Sequence, residues 1–114
     1  MVSRKLTAAR VLAAALAASP LAGGPAAAAD AAVGKSKAGM CRTCHGIDGI
    51  ARQPDAPNIG GESAIYLERQ LKAFRSGERK HEQMSIIAAG LSDEDIADLV
   101  AWYSSIKFSV QVPP

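Results

Sequence analysis

A chain of 114 residues with 13 Lys and Arg against 11 Asp and Glu carries a formal charge of +2, and only 4% of it is aromatic. Three of those bases, Arg4, Lys5 and Arg10, fall in an N-terminal leader; without them ten bases face eleven acids, a net charge of −1, so no basic excess is left for nucleic acid or a membrane surface. Two cysteines are too few for a disulfide framework.

The leader reads as a secretory signal peptide over residues 1–29. Its three bases form the charged n-region, Val11 to Ala18 the apolar h-region, and Ala27-Ala28-Ala29 an A-x-A cleavage site before Asp30. The apolar run is too short and too alanine-rich for a membrane span, an uncleaved anchor being the runner-up, and no other run approaches spanning length. Cleavage near Ala29 leaves one soluble periplasmic domain, residues 30–114, with no stable membrane insertion. A domain of that size buries only about 60–65% of its unfolded surface. It needs a staple, and with so few aromatic side chains the core must be built on something else.

Asp30 to Lys37 begins a first helix that continues through Ala38 toward Cys44. Gly34 and Gly39 weaken its early turns; Gly39 would either admit a close approach to another backbone or simply be tolerated there, the commoner case for a lone glycine. Next comes Met40-Cys41-Arg42-Thr43-Cys44-His45. C-x-x-C-H is the attachment pattern of c-type haem: two thiols on one helical turn each add to a haem vinyl group, and the adjoining histidine reaches the iron. Cys41 and Cys44 would hold one haem covalently, with His45 as the proximal ligand. The covalent haem would also supply the missing staple and core. A thioredoxin-like redox pair calls for a βαβ context, and no strand-rich flank is visible. A zinc site from Cys41, Cys44, His45 and His81 has four ligands, but the adjacent side chains of Cys44 and His45 diverge on a helix. A Cys41–Cys44 disulfide would leave His45 unexplained.

Gly46 to Gly61 holds six glycines and prolines and reads as a long loop passing along the haem, with Asp48 and Asp55 as solvated turn residues. Ser63 to Ser76 reads as a helix capped by Ser63, with Leu67, Leu71 and Phe74 at helical spacing and Gly77 as its stop. Arg69, Lys72, Arg75, Arg79 and Lys80 form either an ordinary solvated face or a docking patch for an acidic partner. The last helix opens at Ser92 with a capping box to Asp95 and runs to Ile106, its apolar stripe made of Ile96, Leu99, Val100, Tyr103 and Ile106. Trp102 reads as core beside the stripe, and Phe108 to Pro114 as an extended tail.

The sixth iron ligand is sought among three methionines and one further histidine. Met1 belongs to the leader, and Met40 adjoins the attachment turn and cannot reach the opposite face. Met84 lies well downstream, and its thioether suits ferrous iron and raises the reduction potential. His81 is the rival, in the polar setting Lys80-His81-Glu82, and an empty sixth position is the third option.

The order of motifs resembles the class I c-type cytochromes, in particular small soluble bacterial mono-haem proteins and single domains of di-haem relatives. The resemblance runs from Met40 to Ile106. Beyond Cys41-x-x-Cys44-His45 it rests on Pro57-Asn58-Ile59-x-Gly61, Tyr66-Leu67-x-x-Gln70-Leu71-x-x-Phe74-x-x-Gly77, Met84, and Leu91 to Leu99. It implies an all-α cytochrome c fold, its terminal helices crossing beside the haem. It also implies that the Pro57 carbonyl accepts the ring N–H of His45 and so orients the ligand. There are two departures from the family: Glu62 stands where relatives often carry glutamine, and Glu82-Gln83 makes the approach to Met84 more polar than usual.

These residues point to a periplasmic one-electron carrier with His45 and Met84 on the iron, exchanging electrons with a protein donor and acceptor such as a dehydrogenase or terminal oxidase. No substrate pocket or acid–base pair marks it as an enzyme in itself. The competing expectations are a haem subunit held by a dehydrogenase and, from a different class, an open-site haem sensor or peroxidase.

Overall fold

The computed structural model describes residues 28–114, so residues 1–27 of the expected leader lie outside it. Five helices follow in order, α1 (Ala31–Lys37), α2 (Arg42–His45), α3 (Ala64–Ser76), α4 (Glu82–Ala89) and α5 (Asp93–Ser105), with no strand among the described residues. The all-α expectation holds.

The first helix is shorter than its sequence suggests. Asp30 caps α1, its carboxylate accepting the N–H groups of Ala32 and Val33. At Ala38 ψ opens to 12°, and a turn through Gly39 separates α1 from α2. Both short helices are tied across that turn, since the Arg42 N–H donates to the Ala38 carbonyl at 3.0 Å.

The glycine that admits a close backbone approach is Gly34, not Gly39. A Cβ on Gly34 would overlap the Asp98 carbonyl of α5, whereas nothing lies within 4 Å of one built on Gly39. Gly34 is buried where α1 crosses α5, and that crossing fixes the two ends of the domain together.

The capping box of α5 is present as read: the Ser92 hydroxyl accepts the Asp95 N–H and the Asp95 carboxylate accepts the Ser92 N–H, both at 3.0 Å. Its stripe supplies most of the core, with Ile96, Leu99, Val100 and Tyr103 buried beside Ala38 and Leu67. Ser63 sits at the N-cap position of α3 but its hydroxyl makes no capping bond; instead the Glu62 carboxylate accepts the Ser63 N–H. Gly77 ends α3 in the left-handed conformation, as expected.

Residues 46–61 form the expected loop. It doubles back where the Gly49 carbonyl accepts the N–H groups of Ile59 and Gly60, and at Gly49 (φ +73°) a Cβ would overlap the Gly60 backbone. Helix α5 then holds both ends of this loop. Tyr103 Oη donates to the Gly46 carbonyl at 3.0 Å, Trp102 Nε1 to the Ile47 carbonyl at 2.9 Å, and the Gly61 N–H donates to the Tyr103 carbonyl at 2.8 Å. Trp102 is therefore a half-buried tether more than a core side chain. Phe108 is exposed, but its ring lies against Gly61, and the tail beyond carries no regular element.

Candidate functional site

A cleft of about 330 Å³ opens between α2, the 46–61 loop, α3, α4 and the inner face of α5. Its walls are largely apolar, with Ile59, Leu67, Leu71, Phe74, Ile87 and Leu99 among the side chains that line it. Cys41, Cys44, His45, Pro57 and Met84, the residues singled out from sequence, all line this one cleft.

His45, the last residue of α2, is 8% exposed. Its Nδ1 lies 2.8 Å from the Pro57 carbonyl, which can only accept, so Nδ1 carries the proton. Nε2 is then the lone-pair nitrogen, free for the cleft that His45 lines. The rigid loop thus sets both the tautomer and the ring orientation, which is the arrangement of an oriented metal-ligating histidine.

Cys41 and Cys44 are half-buried and unlinked. Burial pushes the Cys41 thiol up from its ordinary value, the reverse of the low-pKa thiolate a redox thiol needs. Among the described residues no group of three or more His, Cys, Asp or Glu converges as a metal site, so the zinc reading of Cys41, Cys44, His45 and His81 finds no geometry. The thiols, the oriented imidazole and the apolar walls fit a flat macrocycle bonded along its edge.

Helix α4 was not legible as an element from the sequence. It places Met84 at its third position, half-buried and on the cleft. His81 starts this helix: its exposed imidazole accepts the N–H groups of Gln83 and Met84 through Nδ1, each at 3.3 Å. Gln83 Oε1 lies 3.9 Å from Cys44 Sγ, bringing the start of α4 to the edge formed by α2.

The basic run resolves mainly into local pairs. Lys72 binds Glu68, Arg75 binds Asp93 and the Leu91 carbonyl, and Arg79 lies over the Phe74 ring at 4.6 Å while donating to Gln70 Oε1. Arg79, Gln70, Tyr66 and Tyr103 also line the cleft, which the sequence reading missed. Arg79 had no signal because its partner lies across the Gly77 turn, outside any helical repeat. Glu62, one of the two departures from the family pattern, is on the cleft as well. Asp48 and Asp55 are both exposed as expected, the Asp48 carboxylate held low by the Ile50 N–H and by Arg52, and Asp55 at the rim of the cleft.

The family model described as Cytochrome c matches residues 31–107, which is the whole of this helical unit. The chain belongs to the cytochrome c family. It is 53% identical over 75 residues to cytochrome c-554(548) of Halomonas halodenitrificans, covering 63% of this chain and 90% of that protein. A thiosulfate dehydrogenase electron acceptor of Stutzerimonas stutzeri is 44% identical over 70 residues, 60% of this chain and 32% of that one. The crystal structure of reduced recombinant cytochrome c4 from Pseudomonas stutzeri superposes with a TM-score of 0.67 at 36% identity, over 73% of this chain and 48% of that one. This chain therefore spans nearly all of one relative and less than half of the two others. Cytochromes c are electron-transfer proteins, not enzymes in themselves, and their cofactor is a covalent haem c, for which Cys41, Cys44 and His45 supply the C-x-x-C-H arrangement.

Proposed function

We propose that this cytochrome c carries single electrons in the periplasm, with His45 and Met84 as the two axial ligands of its haem iron. The observation that carries the reading is that His45 and Met84 reach one cleft from different helices, the imidazole already oriented by the Pro57 carbonyl. When bound, the haem supplies a one-electron iron couple, whose potential a thioether ligand raises.

The chain's own residues then act as a fixed frame. Pro57 holds the His45 proton at Nδ1, and the apolar wall keeps water from the cleft. The ties from α5 to Gly46, Ile47 and Gly61 keep the loop in place whichever charge the iron carries. A ligand set that does not rearrange between oxidation states is what fast electron transfer requires. His81 also borders the cleft but is a poorer ligand than Met84: its Nδ1 accepts two helix N–H groups, which leaves a proton rather than a lone pair on Nε2, and its side chain is exposed. The periplasmic location rests on the signal-peptide pattern of residues 1–29, and no described helix is long and apolar enough to cross a membrane.

The test is to express the precursor with periplasmic haem maturation and record oxidised and reduced visible spectra. Haem that survives denaturation, and a weak long-wavelength methionine-to-ferric-iron band that disappears in Met84→Ala, are the expected results. Absence of that band in the wild type, or rapid carbon monoxide binding to the ferrous protein, would sink the His/Met assignment. A second reading draws on the likeness to a thiosulfate dehydrogenase electron acceptor: the donor is a dehydrogenase that holds this domain as a subunit. Co-purification at moderate salt separates a held subunit from a carrier that meets its partners in weak, salt-sensitive encounters.

A further inference from the structure

We propose that the exported chain is cut at the Ala29–Asp30 bond and that Asp98 receives the α-ammonium group released there. The inference rests on the export reading above but concerns residues that do not line the cleft, at the contact of α1 with α5.

Asp98 is a carboxylate on the inner face of α5 and is only 4% exposed. Its Oδ2 binds Lys37 Nζ at 2.7 Å, and its Oδ1 accepts the backbone N–H of Asp30 at 2.8 Å. Lys37 is shared, because its Nζ also lies 2.9 Å from Asp95 Oδ1. The Asp30 carboxylate is occupied as the cap of α1. Two carboxylates, Asp95 and Asp98, therefore share one lysine, and the more buried of them directs its second oxygen at the nitrogen of Asp30. A buried carboxylate calls for charge compensation, and a neutral amide supplies only part of it.

That nitrogen is the first of the domain if the A-x-A pattern of Ala27 to Ala29 is cut where it predicts. Hydrolysis by a signal peptidase breaks the C–N bond between Ala29 and Asp30 with one water. The Ala29 carboxylate leaves with the leader, and the Asp30 nitrogen takes up protons to become an ammonium. The bond to Asp98, charged until then on the carboxylate side alone, becomes an ion pair with charge on both partners. Asp98 is held at the right distance because Gly34 lets α1 lie directly on the Asp98 backbone. The cluster gains its second cation only once the leader is gone.

The test uses the exported holoprotein. Intact mass and N-terminal sequencing should give a chain beginning at Asp30. A variant with one serine inserted between Ala29 and Asp30 keeps the Asp30 nitrogen as a neutral amide. It should melt about 4 °C lower than the wild type. In an Asp98→Asn background the same insertion should leave Tm unchanged. A protein that begins at Asp30 but is indifferent to the insertion overturns the role of Asp98 and leaves export standing. A different first residue overturns the proposal, and a retained leader overturns the export reading with it.

Discussion

Gly34 of α1 lies so close to the Asp98 carbonyl of α5 that no side chain fits between them. Two effects of Gly34→Ala oppose each other there. Alanine favours a helix interior by about 1 kcal/mol over glycine. Forcing a methyl into a closed contact costs about 1–3 kcal/mol, and here the neighbour is backbone, which cannot rotate away. Gly34→Ala is therefore destabilising on balance, and Gly39→Ala, facing open space, is neutral or stabilising. Guanidinium denaturation of the two holoproteins checks the order; Gly34→Ala at wild-type midpoint would refute it.

Tyr103→Phe removes the donor to the Gly46 carbonyl, and Gly46 is buried next to His45. The Gly46 carbonyl keeps the Gly49 N–H at 3.2 Å, so the loss is that of one net hydrogen bond, about 0.5–1.5 kcal/mol. Burial already holds the phenol protonated far above its ordinary range, so the bond persists into alkaline solution. The expected signs are a lower Tm and faster exchange of the amides around residues 46–50, with haem still attached.

Acid should act through the α1–α5 seam. The Lys37 hydrogen bond, then the Ser92 backbone and hydroxyl, bring the Asp95 carboxyl down to about 2. Lys37, then the Asp30 N–H, hold Asp98 low as well. An unfolded carboxyl titrates near about 3.9. The stability from these groups is thus fully present above that value and is lost as pH falls through the folded pKa values. Lys37 is raised by Asp98 and then Asp95, so its share is present below about 10.4 and fades only as pH rises toward its folded value. Tm should be flat at neutral pH and fall steeply below about pH 4, and Asp95→Asn should lower the plateau while reducing the acid slope. An unchanged slope would assign acid sensitivity elsewhere.

His81 begins α4 by accepting two of its free N–H groups. His81→Ala should cost about 1 kcal/mol, the usual loss on removing a cap, and His81→Asn should restore most of it. If Met84 is the sixth ligand, the long-wavelength band should weaken in His81→Ala and return in His81→Asn. A band equally strong in all three proteins would mean that the cap does not position Met84.

Cys41, Cys44, His45 and Met84 were legible in the sequence because each carries a local signature. C-x-x-C-H is contiguous, Met84 was the one methionine free to come from elsewhere, and the Ser92–Asp95 box and the α5 stripe obey helical spacing. What the sequence hid was set by tertiary contact. Helix α4 is too short for a convincing repeat, and it opens on a histidine, which is not a usual cap. The choice of Gly34 over Gly39 depends on which face of α1 meets α5. In sequence Asp98 is one more acid after Asp93, Glu94 and Asp95, and its burial follows only from the crossing.

Of the helices, α4 packs on α3 and meets α5 nowhere, and outside the cleft that Met84 and Ile87 line its one buried residue is Ala88. The α1–α5 pair has a continuous core and an ionic seam behind it. Local opening free energies should therefore form a ladder, with α4 on the lowest rung and α5 near the global value. Hydrogen exchange would read this as early loss of the Ser85 to Ala88 amides while those of Leu99 to Tyr103 stay protected. The segment bearing Met84 can then detach and rebind as a small cooperative unit, with the rest of the molecule still native.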